Sequence, residues 1–301
     1  MNIQKIFRYW IHDTAIGLLN ITIHHALRLL PIDACSAFGA FVTPLSVRRY
    51  TANDLRARRN WRRLHPQSDP ASTDAAMKRL WHSISRSMAE FSVLDRIWND
   101  GRVGVNGIEF LDAVRDAGKP ILVACVHLGN WEIIPIVGIR MGHPGSGIYL
   151  PLENRFDTRI AVKGRERYGA ILVPGDGPGA MRAAIKALIR KAGPFVVFID
   201  EYTNGRVLAP AFGRPLRPEG NMAYVARLAV MTGAEIIPAY CLRLGDRARF
   251  QVNFLAPVPL VRGRDDTALM ANIVTLNSII EPLVREHFDQ WYFALDFDFD
   301  H

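Results

Sequence analysis

An imidazole and a carboxylate stand five residues apart in His127-Leu-Gly-Asn-Trp-Glu132. The apolar run Ile121–Val126 before them predicts a buried strand that ends at His127. A Gly129-Asn130 turn follows, and a helix is expected to begin near Trp131. Ligands of open α/β sheets gather outside the carboxyl ends of strands, which is where His127 falls. Glu132, in the first helical turn, is placed to reach back to the imidazole and fix its tautomer. A histidine held in this way is a general base for a hydroxyl proton. The chain has no His-Glu-x-x-His zinc pattern and no Gly-x-Ser-x-Gly nucleophile elbow. Cys125, on the same strand, reads as a small buried hydrophobe.

The elements that must carry this pair are legible as alternating short and long patterns. Strand-length apolar runs occur at Ile121–Val126, Ile148–Leu150, Ile171–Pro174, Phe195–Ile199, Ala234–Tyr240 and Phe250–Phe254. Amphipathic helices are expected near Trp131–Arg140, Asp157–Tyr168, Ala180–Lys191, Met222–Met231 and Asp266–Phe288. That alternation predicts an α/β fold with a largely parallel central sheet flanked by helices. Upstream, Asp74–Trp98 has helical periodicity, and Pro66–Thr73 reads as a loop.

The N-terminal part differs in kind. Ile11–Leu30 is rich in Ile and Leu, but Asn20, His24 and Arg28 recur at four-residue spacing and draw one polar stripe on a helix. Ala34–Val47 is uncharged, contains Pro44, and is too short to span a bilayer. Arg48, Arg49, Arg56, Arg58, Arg59, Arg62 and Arg63 follow, against the single acid Asp54. Apolar helices followed by arginines fit an anchor on an anionic membrane surface, or two core helices and a solvated basic one. The expected division is an apolar helical anchor over 1–47 and an α/β domain over 48–301. No cleavable secretory signal is expected, because Asp13 interrupts the first apolar stretch.

Composition bounds the rest. With 301 residues, 49% hydrophobic and 22% charged, the chain can bury a large core, which excludes intrinsic disorder and coiled-coil arrays. Three cysteines make no disulfide framework or zinc pattern, which points to a reducing compartment. Net charge is +8, and only six of the 37 basic residues are lysine. An arginine fork suits phosphate or carboxylate. Nucleic acid is not expected as a partner, since aromatics are few in the basic cluster and no recognised binding motif is present.

His127-Leu-Gly-Asn-Trp-Glu132 resembles the His-x4-Asp/Glu signature of the lysophospholipid acyltransferase superfamily, in particular the bacterial lipid A biosynthesis lauroyl/myristoyl acyltransferases. Arg165-Glu-Arg-Tyr-Gly169, Val173–Arg182, Asp200-Glu201-Tyr202, Ala211-Phe212-Gly213-Arg214 and Thr232–Pro238 are similar to further blocks of that family in order and spacing. In place of a basic C-terminal stretch frequent in relatives, Gln290-Trp-Tyr-Phe leads into Asp296, Asp298 and Asp300.

The resemblance implies transfer of a fatty acyl group from an acyl carrier protein or coenzyme A thioester to a hydroxyl of a glycolipid. The setting it implies is the cytoplasmic face of the bacterial inner membrane. It makes His127 the base and Glu132 its orienting partner. Backbone N–H groups near Phe212-Gly213 and the Arg214 guanidinium become candidates for the oxyanion site. Arg165 and Arg167 are candidates for acceptor phosphate, and Asp200 and Glu201 for substrate binding. Neither a metal nor a cofactor is implied. Two other classes remain open on the residues: a thioesterase or lipid esterase using the same pair on water, and a basic binding protein without catalysis.

Overall fold

The computed structural model describes residues 7–175, 179–191, 193–200, 202–203 and 205–300. Its centre is a seven-stranded sheet of β1 (Val103–Asn106), β2 (Ile121–Cys125), β3 (Ser146–Tyr149), β4 (Ile171–Pro174), β5 (Phe195–Phe198), β8 (Glu235–Arg243) and β9 (Phe250–Phe254). The order across it is β1-β9-β8-β2-β5-β3-β4, parallel throughout except where β8 meets β9. A separate hairpin joins β6 (Tyr202–Thr203) to β7 (Arg206–Val207). The expected α/β class with a largely parallel sheet is what the chain adopts.

β2 lies in the middle of the sheet and every one of its residues is buried, so it reads as a continuous apolar run and not as an alternation. Apolar clusters cover both faces. On one side Leu122, Phe195, Leu228, Leu276 and Trp291 belong to a single core, and on the other Val123, Ile133, Val137, Ile237 and Phe250 do. β1 escaped the sequence pattern because it is four residues long and alternates between half-buried and exposed positions.

The helices are α1 (Asp13–Leu29), α2 (Ile32–Arg49), α3 (Thr51–Leu64), α4 (Pro70–Glu90), α5 (Leu94–Asn99), α6 (Ile108–Asp116), α7 (Ile133–Arg140), α8 (Arg155–Arg167), α9 (Ala180–Ile189), α10 (Gly220–Thr232) and α11 (Asp266–Glu286). A π-helical turn over Arg8–His12 leads into α1. Two boundaries depart from expectation. Helix α4 begins inside the polar stretch, because Asp69 accepts a hydrogen bond from the Ser72 N–H and Pro70 occupies the first turn. The helix then breaks into a 3-10 turn at Phe91–Val93, so the expected Asp74–Trp98 helix is two helices.

α1 is turned inside out relative to an ordinary surface helix. Its polar stripe faces protein: the Asn20 amide donates to Asp157 at 2.9 Å, and His24 Nδ1 lies 2.9 Å from the Ser92 hydroxyl. Gly17 sits against the Phe156 ring, where a Cβ would clash. Trp10, Leu18, Leu19 and Ile23 are left exposed, as are Phe41 and Leu45 of α2. Among the described residues, the helix that is long and apolar enough to cross a membrane is α11, but it buries Leu269, Ile273, Leu276 and Ile280 in the core.

Part of the basic cluster on α3 is paired with the acidic C-terminus. Arg56 and Arg59 lie 3.7 and 3.3 Å from Asp298, and Arg63 lies 3.6 Å from Asp300. Arg58 pairs with Asp54 and Asp74.

Candidate active site

His127 leaves the carboxyl end of β2, and Asp200 leaves the end of its neighbour β5. The register pairs Cys125 with Phe198, so two residues further along each strand His127 and Asp200 come side by side. His127 Nδ1 lies 2.8 Å from Asp200 Oδ1, and the His127 backbone N–H donates to Oδ2 at 2.8 Å. The Trp291 indole N–H donates to the same Oδ2 at 2.8 Å. Asp200 has no exposed surface, and these three donors satisfy it. A carboxylate only accepts, so Nδ1 carries the proton and Nε2 is the basic nitrogen. The imidazole is caged by Phe198, Phe293 and Trp131, with ring centroids at 4.2, 4.9 and 5.1 Å.

Glu132 has a different partner from the one expected. Both of its oxygens are taken by Arg165 of α8: Nε donates to Oε2 at 3.0 Å, and a terminal amino group donates to Oε1. The difference is one of reach and charge. A fully charged fork is a stronger and better-shaped partner for a carboxylate than an imidazole is. Burial disfavours the Arg165 cation, but the charge and hydrogen bonds of Glu132 outweigh it and raise its pKa above the ordinary value. Burial, with Glu132 adding to it, pushes the neighbouring Tyr168 phenol well up.

His127, Glu132 and Arg165 share the wall of one cavity of about 350 Å³, otherwise lined mainly by apolar groups such as Val123, Ile134, Ile148, Leu172, Val196 and Phe254. It lies between the sheet and helices α7 and α8. Its lining suits a hydrocarbon chain whose polar group lies beside His127.

Other expected residues lie elsewhere. Arg214 does not line this cavity. Its guanidinium donates to the backbone oxygens of Val207, Pro210, Ala211 and Asp298 and lies 4.3 Å from the Phe297 ring centroid. The Phe212 N–H donates to Glu281 and the Ala211 N–H to Asn277, so two backbone donors near the expected oxyanion site are already engaged. Gly213 is exposed with a φ of 87°, and open space surrounds the position of an added Cβ. Arg167 is exposed, and its charge acts on His24 of α1. Glu201 lies outside the described residues.

The loop after His127 is held by groups that no motif marked. Gly129 has a φ of 56°, and a Cβ there would meet the Cys241 carbonyl at 2.7 Å. Its N–H donates to the Gln290 carbonyl and its carbonyl accepts from the Ser87 hydroxyl. The Asn130 amide donates to Glu90, which is buried and paired at 2.7 Å through both oxygens with buried Arg243. Gln290, Trp291 and Tyr292 brace the strand end, the last donating its N–H to the His127 carbonyl. In sequence, Glu90 and Arg243 look like ordinary charged residues; only their placement in apolar stretches hinted at burial. Among the described residues no cluster of histidine, cysteine and carboxylate side chains is arranged to hold a metal.

An imidazole held by a buried carboxylate in the wall of a largely apolar cavity is an arrangement with which an α/β protein can act on an acyl group. A family model described as bacterial lipid A biosynthesis acyltransferase matches residues 4–295. The chain belongs to that family and is an acyltransferase. A lipid A biosynthesis acyltransferase of Haemophilus influenzae is 25% identical over 233 residues, covering 75% of this chain and 70% of that protein.

Proposed function

We propose that the protein is a membrane-associated O-acyltransferase that moves a fatty acyl group from a thioester to a hydroxyl of a lipid A-type glycolipid. The observation that carries this reading is the His127–Asp200 pair at the polar end of the apolar cavity. The acyl chain lies in the cavity with its thioester carbonyl near His127. Nε2 takes the proton of the acceptor hydroxyl as its oxygen attacks the carbonyl carbon. Asp200 stabilises the imidazolium that forms. The tetrahedral intermediate then expels the thiolate, which receives the proton from Nε2, giving an ester and a free thiol. Glu132, tied to Arg165, shapes the wall beside the base, a positioning part in place of the direct contact expected from the spacing.

Acyl carrier protein is the favoured donor because it is acidic and the chain is net positive at +8. Coenzyme A offers the same thioester. Neither mechanism step calls for a metal or cofactor. The membrane reading rests on α1 and α2, whose large apolar side chains point outward while the polar stripe of α1 is used inside. The proposed setting is the cytoplasmic face of the bacterial inner membrane, where thioester donors are available.

The test is incubation of purified protein with a radiolabelled acyl carrier protein thioester, with and without a glycolipid acceptor, and in parallel with acyl-coenzyme A. Label in the glycolipid that requires His127 supports transfer. Release of free fatty acid alone, unchanged by acceptor, would make the protein a thioesterase instead.

A further inference from the structure

A second cavity, of about 210 Å³, lies against the first and carries more charge in its wall. Arg206, Arg214 and Arg217 line it, together with Asn221 at the start of α10. Asn221 also lines the apolar cavity, and its amide donates at 2.6 Å to the carbonyl of Phe198, whose ring packs on His127. The cavity with the three guanidinium groups therefore adjoins the cavity of the base at Asn221. We propose that this basic cavity binds a phosphate group carried by one of the two substrates while its reacting end lies at His127. The inference rests on the acyl-transfer reading for its orientation.

Each arginine has a distinct standing. Arg214 is fixed: the backbone oxygens of Val207, Leu208, Pro210, Ala211 and Asp298 and the Phe297 ring hold its plane. Burial lowers its pKa to about 10, and the charge of Arg217 adds to that, against the smaller opposing effects of Asp298 and Glu281. Arg217 is exposed and paired with Glu219 at 3.4 Å, an ion pair that is cheap to exchange for a dianion. Arg206 is exposed at the rim. The carboxylates in the wall are engaged, Glu219 by Arg217 and Asp300 by Arg63. The first turn of α10, whose cap residue Glu219 makes no side-chain hydrogen bond to it, faces the same space. Arg206 and Arg217, exposed in the wall of this small cavity, offer planar forks, which match phosphate better than a monovalent anion.

Two sources share this chemistry: the phosphate of a glycolipid acceptor and that of a phosphopantetheine donor arm. Binding measurements on the purified full-length chain separate them without relying on turnover. Glucose 1-phosphate is titrated against glucose, and 4′-phosphopantetheine against pantetheine, with wild type and with Arg206→Gln/Arg217→Gln. Wild type is expected to bind one phosphorylated probe about tenfold or more tighter than its phosphate-free counterpart, and the double variant to lose that difference. The pair that shows the effect names the source. If wild type discriminates in neither pair, or the double variant keeps the discrimination, the proposal is overturned. Both positions are exposed and melting curves report the fold; Arg206→Gln alone carries the same comparison should the double variant melt early. Acyl transfer is assayed separately, so loss of the phosphate site and loss of the acyltransferase reading are distinct results.

Discussion

Two buried carboxylates stand in the region of the base, and they are built in opposite ways. At the end of β5, Asp200 is satisfied by neutral donors: an indole, a backbone amide and the imidazole itself. At the start of α7, Glu132 is neutralised by the two-pronged Arg165. The first arrangement keeps a full negative charge pointed at Nδ1, where it can stabilise a proton gained at Nε2. The second spends its charge on a cation and joins α7 to α8. A carboxylate near a histidine is thus not enough to orient it; what matters is which other charges compete for it.

The sharpest way to break this contrast is to neutralise each carboxylate in turn. Asp200→Asn should lower kcat by about 10³–10⁴-fold, close to His127→Ala, with little change in KM. Steady-state kinetics on purified protein with a thioester donor checks this. A near-normal rate for Asp200→Asn would return the orienting role to Glu132.

Glu132→Gln should show first in stability. It strands a mostly buried Arg165, at a cost of about 1–3 kcal/mol once the partial exposure of the pair is allowed for. Arg165→Gln should cost a similar amount, and the double substitution should regain much of the loss. Thermal melts of the four proteins form a double-mutant cycle; strictly additive effects would show that the pair contributes no coupling.

Trp291→Phe tests the Asp200 side more gently. Removing one of three donors should reduce kcat by about tenfold while the aromatic packing is kept. An unchanged rate would mean that the two His127 contacts alone fix Asp200.

The smallest effect lies away from both carboxylates. Burial, with His25, Arg28 and Arg167 nearby, lowers the His24 pKa from an ordinary 6.5 to about 4. Between these values the unfolded or undocked chain binds a proton that the folded one does not, so stability falls as pH drops through this window. Docking of α1, followed by limited proteolysis, should weaken between pH 6.5 and 4, and His24→Gln should flatten that dependence. The same slope in His24→Gln would assign it to another group.

The sequence alone determined most of the elements and marked the candidate base. Apolar runs of strand length alternating with amphipathic helices define an α/β fold with a largely parallel sheet, because burial on both faces requires such runs. His127 stood out because it ends the most apolar run and precedes a Gly-Asn turn. Its partner was not legible, since Asp200 is 73 residues away. Parallel pairing of β2 with β5 decides that contact, and pairing is a property of the sheet order, which local periodicity does not encode. Tertiary structure also turned the polar stripe of α1 inward, gave Glu132 to Arg165, and moved Arg214 to a second cavity. In each case a charged or polar group found its partner on an element distant in the chain. Desolvation made that pairing necessary, because a buried polar group left unpaired costs more than most single contacts provide.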